Sequence, residues 1–219
     1  MENQDLGKLI EKLDAEMSKP AAGRNMAVVR TYLDHIKKTY QEERTELETL
    51  RHKIRHDRLT DLGNSTKLEE TLSDYESQKK PMTIINLDLR GLKAVNDTYG
   101  YDWGTNLIKL AAQYISAQTT TRKSTDMVFR AGERADEFYI LTEETDPNNV
   151  KKFIMRLTKN AEKHRLHIKH GDGYGHVYLE FYSGYGIYDG FRPITDVKRE
   201  AHTGVVENKT EVKANGCGK

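Results

Sequence analysis

The sequence lacks the features that define several large classes of protein. Its one cysteine, Cys217, cannot form a disulfide framework or a cysteine metal site within a single chain. Its 35 lysine and arginine residues nearly equal its 34 aspartate and glutamate residues, whereas a binder of the nucleic-acid backbone normally has a clear basic surplus. The longest apolar runs, such as Thr83 to Leu87, are too short to cross a bilayer. We therefore expect no membrane partner and no nucleic-acid partner.

The first residues also lack the marks of an export signal. Met-Glu-Asn-Gln-Asp has neither a basic n-region nor an apolar h-region, so we expect a cytoplasmic protein. What the chain does contain is charge, because charged residues make up 32% of it and hydrophobic residues only 36%. A composition this polar predicts that part of the chain is an exposed helix rather than core.

Residues 1–56 have helical periodicity. An apolar stripe over residues 4–18 ends before Pro20, and a second pattern begins at Val29. The second pattern places residues three and four positions apart, mostly apolar, with one polar break, as in a coiled coil; its members are Val29, Leu33, Ile36, Tyr40, Glu43, Leu47, Leu50 and Ile54. We expect residues 1–56 to form N-terminal helices with a coiled-coil stalk that makes a homodimer. The alternative is an amphipathic helix folded back on its own domain.

From residue 57 to residue 219 the pattern predicts a separate α+β domain. Strands are predicted at Pro81 to Leu89, Met127 to Arg130, Glu137 to Thr142 and, as a strand or hairpin, Val177 to Tyr188; helices are predicted at Thr105 to Ile115, Pro147 to His164 and after Pro193. The order β-α-β-β-α-β predicts a ferredoxin-like palm with an antiparallel central sheet and helices on one face. We also expect its first and second strands to be adjacent and parallel.

Acidic residues occur at two places that such a sheet would bring together. Asp88 lies near the end of the first predicted strand, and Asp136 and Glu137 lie at the turn between the second and third. Carboxylates gathered there would offer the oxygen ligands that Mg²⁺ prefers, and two metals could activate a 3′-hydroxyl and stabilise departing pyrophosphate. The alternative is that these acids are solvated turn residues.

Four segments resemble, in order, the motifs of the GGDEF (diguanylate cyclase) family. His56 to Asn64 resembles D-x-L-T-G-L-x-N-R, and Asn86 to Tyr101 resembles D-x-D-x-F-K-x-x-N-D-x-x-G-H. Phe129 to Phe138 resembles F-R-x-G-G-D-E-F with two extra residues, and Ala201 to Lys213 resembles the A-D-x-A-L-Y-x-A-K-x-x-G-R helix. The resemblance covers residues 56 to about 215 and implies that residues 57–219 form a GGDEF-like nucleotide cyclase domain.

The resemblance implies a set of catalytic and metal-binding residues. Asp88 and Asp136 match the metal-binding acids, and the backbone carbonyl of Leu89 would also lie near the metal. Glu137 matches the second acid of the signature, which assists metal binding or accepts a proton. The implied cofactor is Mg²⁺ or Mn²⁺.

It also implies a nucleotide-binding set. Lys93, Lys209 and Lys213 match positions where the family places cations on the triphosphate, Asn96 matches the residue that bonds the guanine edge, and the other members are Leu92, Thr105 and Arg134. Without the resemblance, each of these lysines would be interpreted as a solvated surface residue. The implied partner is a nucleoside triphosphate, GTP by default.

Several positions depart from the family pattern. Thr105 replaces an aspartate that reads guanine, and one hydroxyl cannot hold two donors as a carboxylate does, so base selectivity is in doubt. The double glycine of the signature is replaced by Gly132-Glu133-Arg134-Ala135, where Arg134 could bind a phosphate or block the site. Arg90 replaces the second aspartate of D-x-D, Ser65 an arginine, and His202 the aspartate of the last helix.

A product-inhibition motif, R-x-x-D in the family, survives only as Lys123-Ser124-Thr125-Asp126, with Arg122 one position away. We expect weak or no feedback binding there. Elsewhere His164, His167 and His170 are spaced as zinc ligands on a helix would be. The predicted helix ends in this stretch, however, and neighbouring lysine and arginine residues would repel a cation, which favours exposed histidines.

Three functions remain open from the sequence. The first is an enzyme that joins two nucleoside triphosphates, by default two GTP to cyclic di-GMP, in a dimer. The second is a catalytically inactive GGDEF-like module that binds a nucleotide or a protein. The third is a structural role, in which the coiled coil is the functional part and the palm is an inert head. The acids at the metal positions and the lysines at the phosphate positions argue against it.

Overall fold

The computed structural model describes residues 3–20, 23, 25–120, 125–131, 136–170 and 173–216. The chain divides into two compact units, Met1–Ile54 and Arg55–Lys219. No helix within the described residues is long and apolar enough to span a membrane.

The first unit contains two helices, α1 (Asn3–Met17) and α2 (Met26–Arg55, whose last residue belongs to the second unit). The Asn25 side chain caps α2 by accepting from the backbone N–H groups of Ala27 and Val28 at 3.1 and 3.2 Å. Glu16 of α1 accepts from the Asn25 backbone N–H at 2.8 Å, which ties the end of α1 to the start of α2. Most of the heptad positions of α2 are exposed: Leu33, Tyr40, Leu47, Leu50 and Ile54. This apolar row is the surface on which the expectation of a dimer depends.

The second unit contains eleven elements among its described residues. They are α3 (Ser65–Ser77), β1 (Met82–Leu89), α4 (Leu92–Tyr99), α5 (Tyr101–Thr120), β2 (Met127–Arg130), β3 (Glu137–Thr142), α6 (Pro147–Ala161), β4 (Arg165–His170), β5 (Gly173–Tyr178), β6 (Phe181–Tyr188) and α7 (Ile194–Gly216). The predicted α+β fold with an antiparallel sheet is confirmed, and β2 and β3 have the predicted bounds.

The main sheet has the strand order β2-β3-β1-β6. β1 pairs antiparallel with β3 and with β6, and every residue of β1 is buried. The expectation that the first and second strands are adjacent is therefore wrong. Both run in the same direction, but β3 lies between them and pairs antiparallel with each.

Helices cover both faces of this sheet, not one face as expected. One core contains Ile85, Leu87, Phe138 and Ile140 of the sheet and is covered by α4, α5 and α6. The other contains Ile84 and Leu141 with Tyr139 and is covered by α3 and α7. Because side chains alternate along a strand, a central strand with apolar residues at nearly every position requires cover on both sides.

Glycines set the distance between α7 and the sheet. A Cβ atom on Gly184 would lie 2.1 Å from the carbonyl oxygen of Ala201, and one on Gly186 would lie 2.4 Å from that of Val197. The α7 backbone can therefore rest directly on β6, which brings the last turns of α7 to the end of β1.

The region after α6 differs most from expectation. β4 and β5 form a separate two-stranded antiparallel sheet, in which His167 is opposite His176. His167 thus lies on a strand and not on a helix, because α6 ends at Ala161. Within the described part of the chain no group of His, Cys, Asp and Glu residues is arranged to hold a metal ion by itself.

Candidate active site

Asp88, Asp136 and Glu137 meet at one corner of the main sheet. Asp88 at the end of β1 is the register partner of Glu137 at the start of β3. The Leu89 N–H donates to the carbonyl oxygen of Asp136 at 2.9 Å, so the peptide group before Leu89 lies against Asp136. Asp88 and Glu137 are only 5% and 8% exposed. The antiparallel β1–β3 pairing, rather than the expected β1–β2 contact, produces this corner.

This corner concentrates negative charge away from water. Burial, and after it the carboxylates of Asp88 and Glu137, raise the pKa of Asp136. Its Oδ1 atom is buried without a hydrogen-bond partner among the described residues. Lys209 Nζ lies 2.7 Å from Asp88 Oδ2, so an ammonium group stands where a cation is needed. The carboxylates gathered here have the oxygen chemistry that a divalent cation prefers, although the described side chains do not by themselves form a metal-binding group, so phosphate, water or backbone oxygens would have to supply the remaining ligands.

A cleft of about 670 Å³ opens beside the carboxylates on the face covered by α3 and α7. It is lined by Glu69, Asp88, Glu137, Tyr139, Thr195, Lys198, Arg199, His202, Val206 and Lys209. Lys198 and Arg199 were not predicted as site residues. They are spaced three or four positions from His202, Val206 and Lys209 in turn, as residues on one face of a helix are. This spacing could have indicated from the sequence that they lie on the same face as Lys209.

The residues predicted to read the base lie at the α4–α5 corner. A Cβ atom on Gly104 would lie 1.8 Å from Asn96 Oδ1 and 3.1 Å from Leu92 Cδ1, so both side chains lie over this glycine. Asn96 Oδ1 is buried and has no hydrogen-bond partner among the described residues. Thr105, half-buried, follows Gly104 on α5. Lys93 is exposed on the first turn of α4.

Among the described residues that line the 670 Å³ cleft, none belongs to α4 or α5. The structure therefore brings together the three acids and Lys209, and separately Leu92, Asn96 and Thr105. Arg134 lies outside the described residues with the rest of 132–135, and so does the side chain of Lys213. Of the degenerate inhibition motif, Arg122, Lys123 and Ser124 also lie outside them.

Arg90, which replaces an acid of the family pattern, is engaged beside the site. It pairs with Glu180 at 2.8 Å, and its guanidinium lies 5.7 Å from the ring centroid of Tyr182. Lys209 Nζ lies 5.6 Å from the same centroid. Tyr182 is the register partner of Asp88, so this ring lies within cation–π distance of two cations near the carboxylate corner.

The segment before α3 is tied to β2 by an ion pair. Arg130 Nη1 lies 2.8 Å from both carboxylate oxygens of Asp57, and the two side chains are 10% and 22% exposed. Asp57 Oδ1 also accepts from the Thr60 N–H at 3.0 Å. Burial alone would raise the pKa of Asp57, but the bonds from Arg130 and Thr60 outweigh it and hold that pKa below its usual value. Since Arg130 is paired with Phe138 across β2 and β3, the ion pair steadies the strands that flank the signature acids.

The fold and this corner define a palm-type α+β domain with buried carboxylates at the end of its central strand. Residues 54–215 match the sequence profile of "Diguanylate cyclase, GGDEF domain", and the chain belongs to the GGDEF family.

Curated relatives are longer proteins. The diguanylate cyclase DosC of Escherichia coli is 28% identical over 129 residues, which is 57% of this chain and 27% of DosC. The bifunctional diguanylate cyclase/cyclic di-GMP phosphodiesterase MucR of Pseudomonas aeruginosa is 32% identical over 112 residues, 49% of this chain and 16% of MucR. This chain therefore spans well under half the length of either relative.

Solved structures show the same fold. The coiled coil and GGDEF domain of DgcB from Caulobacter crescentus, in complex with c-di-GMP, has a TM-score of 0.71 at 18% identity and covers 84% of this chain and 95% of that one. Diguanylate cyclase SiaD from Pseudomonas aeruginosa, in complex with its activator SiaC, has a TM-score of 0.64 at 19% identity, covering 95% and 84%.

Proposed function

We propose that this chain binds nucleoside triphosphate with Mg²⁺ or Mn²⁺ and joins two such molecules into a cyclic dinucleotide, by default cyclic di-GMP from two GTP. The observation that supports this most directly is the carboxylate corner, where Asp136 has an orphaned buried oxygen and Asp88 is held by Lys209. Carboxylates buried this close together are unfavourable unless a cation binds them. A nucleoside triphosphate carries a divalent cation on its phosphates, so it would supply that cation.

The proposed chemistry is two phosphodiester-forming steps. In each, a ribose 3′-oxygen bonds to the α-phosphorus of the other nucleotide, the bond to the β-phosphate bridge breaks, and pyrophosphate leaves. Asp88, Asp136 and the Leu89 carbonyl would hold the divalent ion, which supplies charge neutralisation at the phosphates when bound. Glu137 would assist in holding it or accept the hydroxyl proton.

The cations of the chain have a separate proposed task. Lys93 on α4 and Lys209 on α7 would contact the triphosphate, with Lys213 one turn beyond Lys209. Lys209 would leave Asp88 for a phosphate oxygen as the divalent ion takes its place, so the ion pair seen here is the resting state of the site. Leu92 and Asn96 would hold the base, with Arg134 as a further phosphate contact.

The reaction needs two sites facing each other, and we propose that the N-terminal helices supply the homodimer. Residues 1–56 would act as the stalk and 57–219 as the cyclase domain. The exposed apolar row of α2 supports this proposal, because a single narrow stripe of apolar residues suits a coiled-coil seam.

The decisive experiment incubates the full chain with GTP, ATP, CTP and UTP, singly and mixed, with Mg²⁺ or Mn²⁺. We expect pyrophosphate release with at least one nucleotide, formation of a cyclic dinucleotide by mass spectrometry, and a rate per protomer that rises with protein concentration. Absence of turnover together with metal-dependent nucleotide binding would instead favour the inactive module.

That alternative, a catalytically inactive nucleotide-binding or protein-interaction module, has a specific observation in its favour. Arg90 and Thr105 replace acids of the family pattern, and Arg90 is committed to Glu180. One relative, NbdA of Pseudomonas aeruginosa, is named a cyclic di-GMP phosphodiesterase.

Base selectivity gives a second prediction. Thr105→Asp should raise the preference for GTP over ATP, in kcat/KM, by about 10- to 100-fold, because a charge-assisted hydrogen bond contributes about 1.5–3 kcal/mol. The measurement is kcat/KM for both nucleotides. Thr120→Asp, the same change at an exposed position on α5, is the control and should leave the ratio unchanged. An unaltered ratio in Thr105→Asp would remove Thr105 from the base site.

A further inference from the structure

Two buried polar side chains extend from Glu137 into the core between the sheet and α7. The Tyr139 hydroxyl donates to Glu137 Oε2 at 3.1 Å, and Asn86 Nδ2 donates to the Tyr139 hydroxyl oxygen at 3.2 Å. Asn86 is fully buried and Tyr139 is 4% exposed. Polar groups at this depth are unfavourable unless they are hydrogen-bonded, so two of them in a row beside a candidate catalytic acid require a reason.

The chemistry of Glu137, Tyr139 and Asn86 determines which group donates each hydrogen bond in this row. An ionised Glu137 can only accept, so the phenol must donate its one proton to the carboxylate. The phenol oxygen is then an acceptor, and Asn86 must present its NH₂ group to it. Asn86 therefore fixes where the hydroxyl proton of Tyr139 points.

Packing holds the row in place. Asn86 is the register partner of Tyr139, and Asp88 is that of Glu137 two positions further along, so the row and these carboxylates lie on the same face of the β1–β3 pairing. Above the ring, Lys198 Nζ lies 5.7 Å from its centroid and pairs with Glu69. The ring itself belongs to the buried cluster under α3 and α7.

We infer that Tyr139, oriented by Asn86, is a positioning residue that holds the Glu137 carboxylate for the divalent cation. One carboxylate oxygen, Oε2, is committed to Tyr139, which fixes the rotamer of Glu137 and presents Oε1 to the cation. This inference rests on the proposed function, since it concerns the same metal. Neither Asn86 nor Tyr139 was singled out as a site residue from the sequence.

The test is Tyr139→Phe, which removes the hydroxyl and keeps the ring. We expect Mn²⁺ affinity, measured on the nucleotide-free full chain by calorimetry, to fall about 10- to 100-fold, as for the loss of an outer partner of a metal ligand. In turnover, kcat at subsaturating metal should fall by a similar factor, and KM for nucleotide at saturating metal should stay within about twofold.

The control is Tyr188→Phe. Tyr188 is another buried tyrosine of the same cluster, and its hydroxyl reaches the backbone carbonyl of Glu76, away from the carboxylates. Both variants remove one tyrosine hydroxyl and keep the buried ring, and the melting temperature of each shows whether it still folds. Only Tyr139→Phe should lose Mn²⁺ affinity.

Asn86→Leu supplies a second, independent test. It should weaken Mn²⁺ binding less than Tyr139→Phe does, and the double variant should be no weaker than Tyr139→Phe alone, because Asn86 acts through the phenol. Additive losses of Mn²⁺ affinity in the double variant would show that Asn86 does not act through Tyr139.

The outcomes separate this inference from the proposed function. Wild-type protein that binds Mn²⁺ and turns over, with Tyr139→Phe matching both wild type and Tyr188→Phe in affinity, would overturn the inference alone. Wild-type protein that binds Mn²⁺ without turnover would remove catalysis and leave the Mn²⁺ comparison to decide the inference. Wild-type protein that binds no Mn²⁺ would overturn both.

Discussion

Asp88→Asn should lower the rate of pyrophosphate release about 1000-fold. Asp88 is the acid at the end of β1, and it is the register partner of Glu137. A divalent ion at the phosphates contributes several kcal/mol to transition-state stabilisation, and each 1.36 kcal/mol is a factor of ten in rate. The measurement is kcat at saturating nucleotide and Mg²⁺, with whichever nucleotide the wild-type protein turns over fastest.

The same variant should fold nearly as well as the wild type. Asn has the shape of Asp, and the loss of the Lys209 ion pair is offset by relief of repulsion from Asp136 and Glu137. We expect a change in the free energy of unfolding of less than about 1 kcal/mol, measured by urea denaturation.

The matched control for Asp88→Asn is Asp74→Asn on α3. Asp74 is exposed and is not among the described residues that line the cleft, so the same chemical change there should leave both rate and stability intact. If Asp88→Asn retained more than about a tenth of the wild-type rate, Asp88 would not be a metal ligand in the reaction, and the carboxylate corner would lose its proposed role.

Hydrophobic periodicity predicted where β2 and β3 begin and end, but not which strands are neighbours in the sheet. β2 and β3 have their predicted bounds because each is a short run rich in apolar and aromatic residues between polar connections. The strand order does not follow from such local patterns. β3 lies between β1 and β2, an arrangement that depends on pairing between residues far apart in the sequence.

The β4–β5 hairpin was not predicted. The helix before it was expected to end near His164, but the charged and histidine-rich residues that follow lack the alternation of a half-buried strand. These residues pair with Gly173–Tyr178, and Ile168 is buried.

The candidate site also has parts that the sequence predicts and parts that it does not. The acids could be located from the sequence because the motif resemblance concerns contiguous residues. The Asn86–Tyr139–Glu137 row could not, because Asn86 and Tyr139 are 53 positions apart and only the β1–β3 register brings them together. Tyr139 also has the apolar ring that a core position requires, so nothing in its identity indicates a polar task.

Asp57→Ala should be the most destabilising single change in the second unit among those considered. The Asp57–Arg130 pair is largely buried, and removal of one partner leaves the other charge without its main counter-ion. We expect a loss of about 3 kcal/mol in the free energy of unfolding, or roughly 6–12 °C in melting temperature. Turnover should also fall, because Arg130 precedes the segment that contains the signature acids.

A double-mutant cycle separates the pair from its surroundings. Arg130→Met should destabilise by a similar amount, and the combined variant should lose clearly less than the sum, since the second change then removes a group that has already lost its bond to the other. Additive losses would show that Asp57 and Arg130 stabilise the fold through other contacts, such as the bond from Thr60 to Asp57.

The pH dependence of this contribution has a definite sign. The folded-state pKa of Asp57 is lowered, mainly by the bonds from Arg130 and Thr60 against the effect of burial, while the unfolded chain keeps a value near 3.8. The pair therefore contributes its full stability above that value and loses it as the pH falls through the lower folded pKa. The difference in unfolding free energy between wild type and Asp57→Ala should be constant from neutral pH to about pH 5 and shrink only in stronger acid. A difference that shrank between pH 8 and pH 6 would mean that another group, with an ordinary pKa near neutrality, controls the contact between this segment and β2.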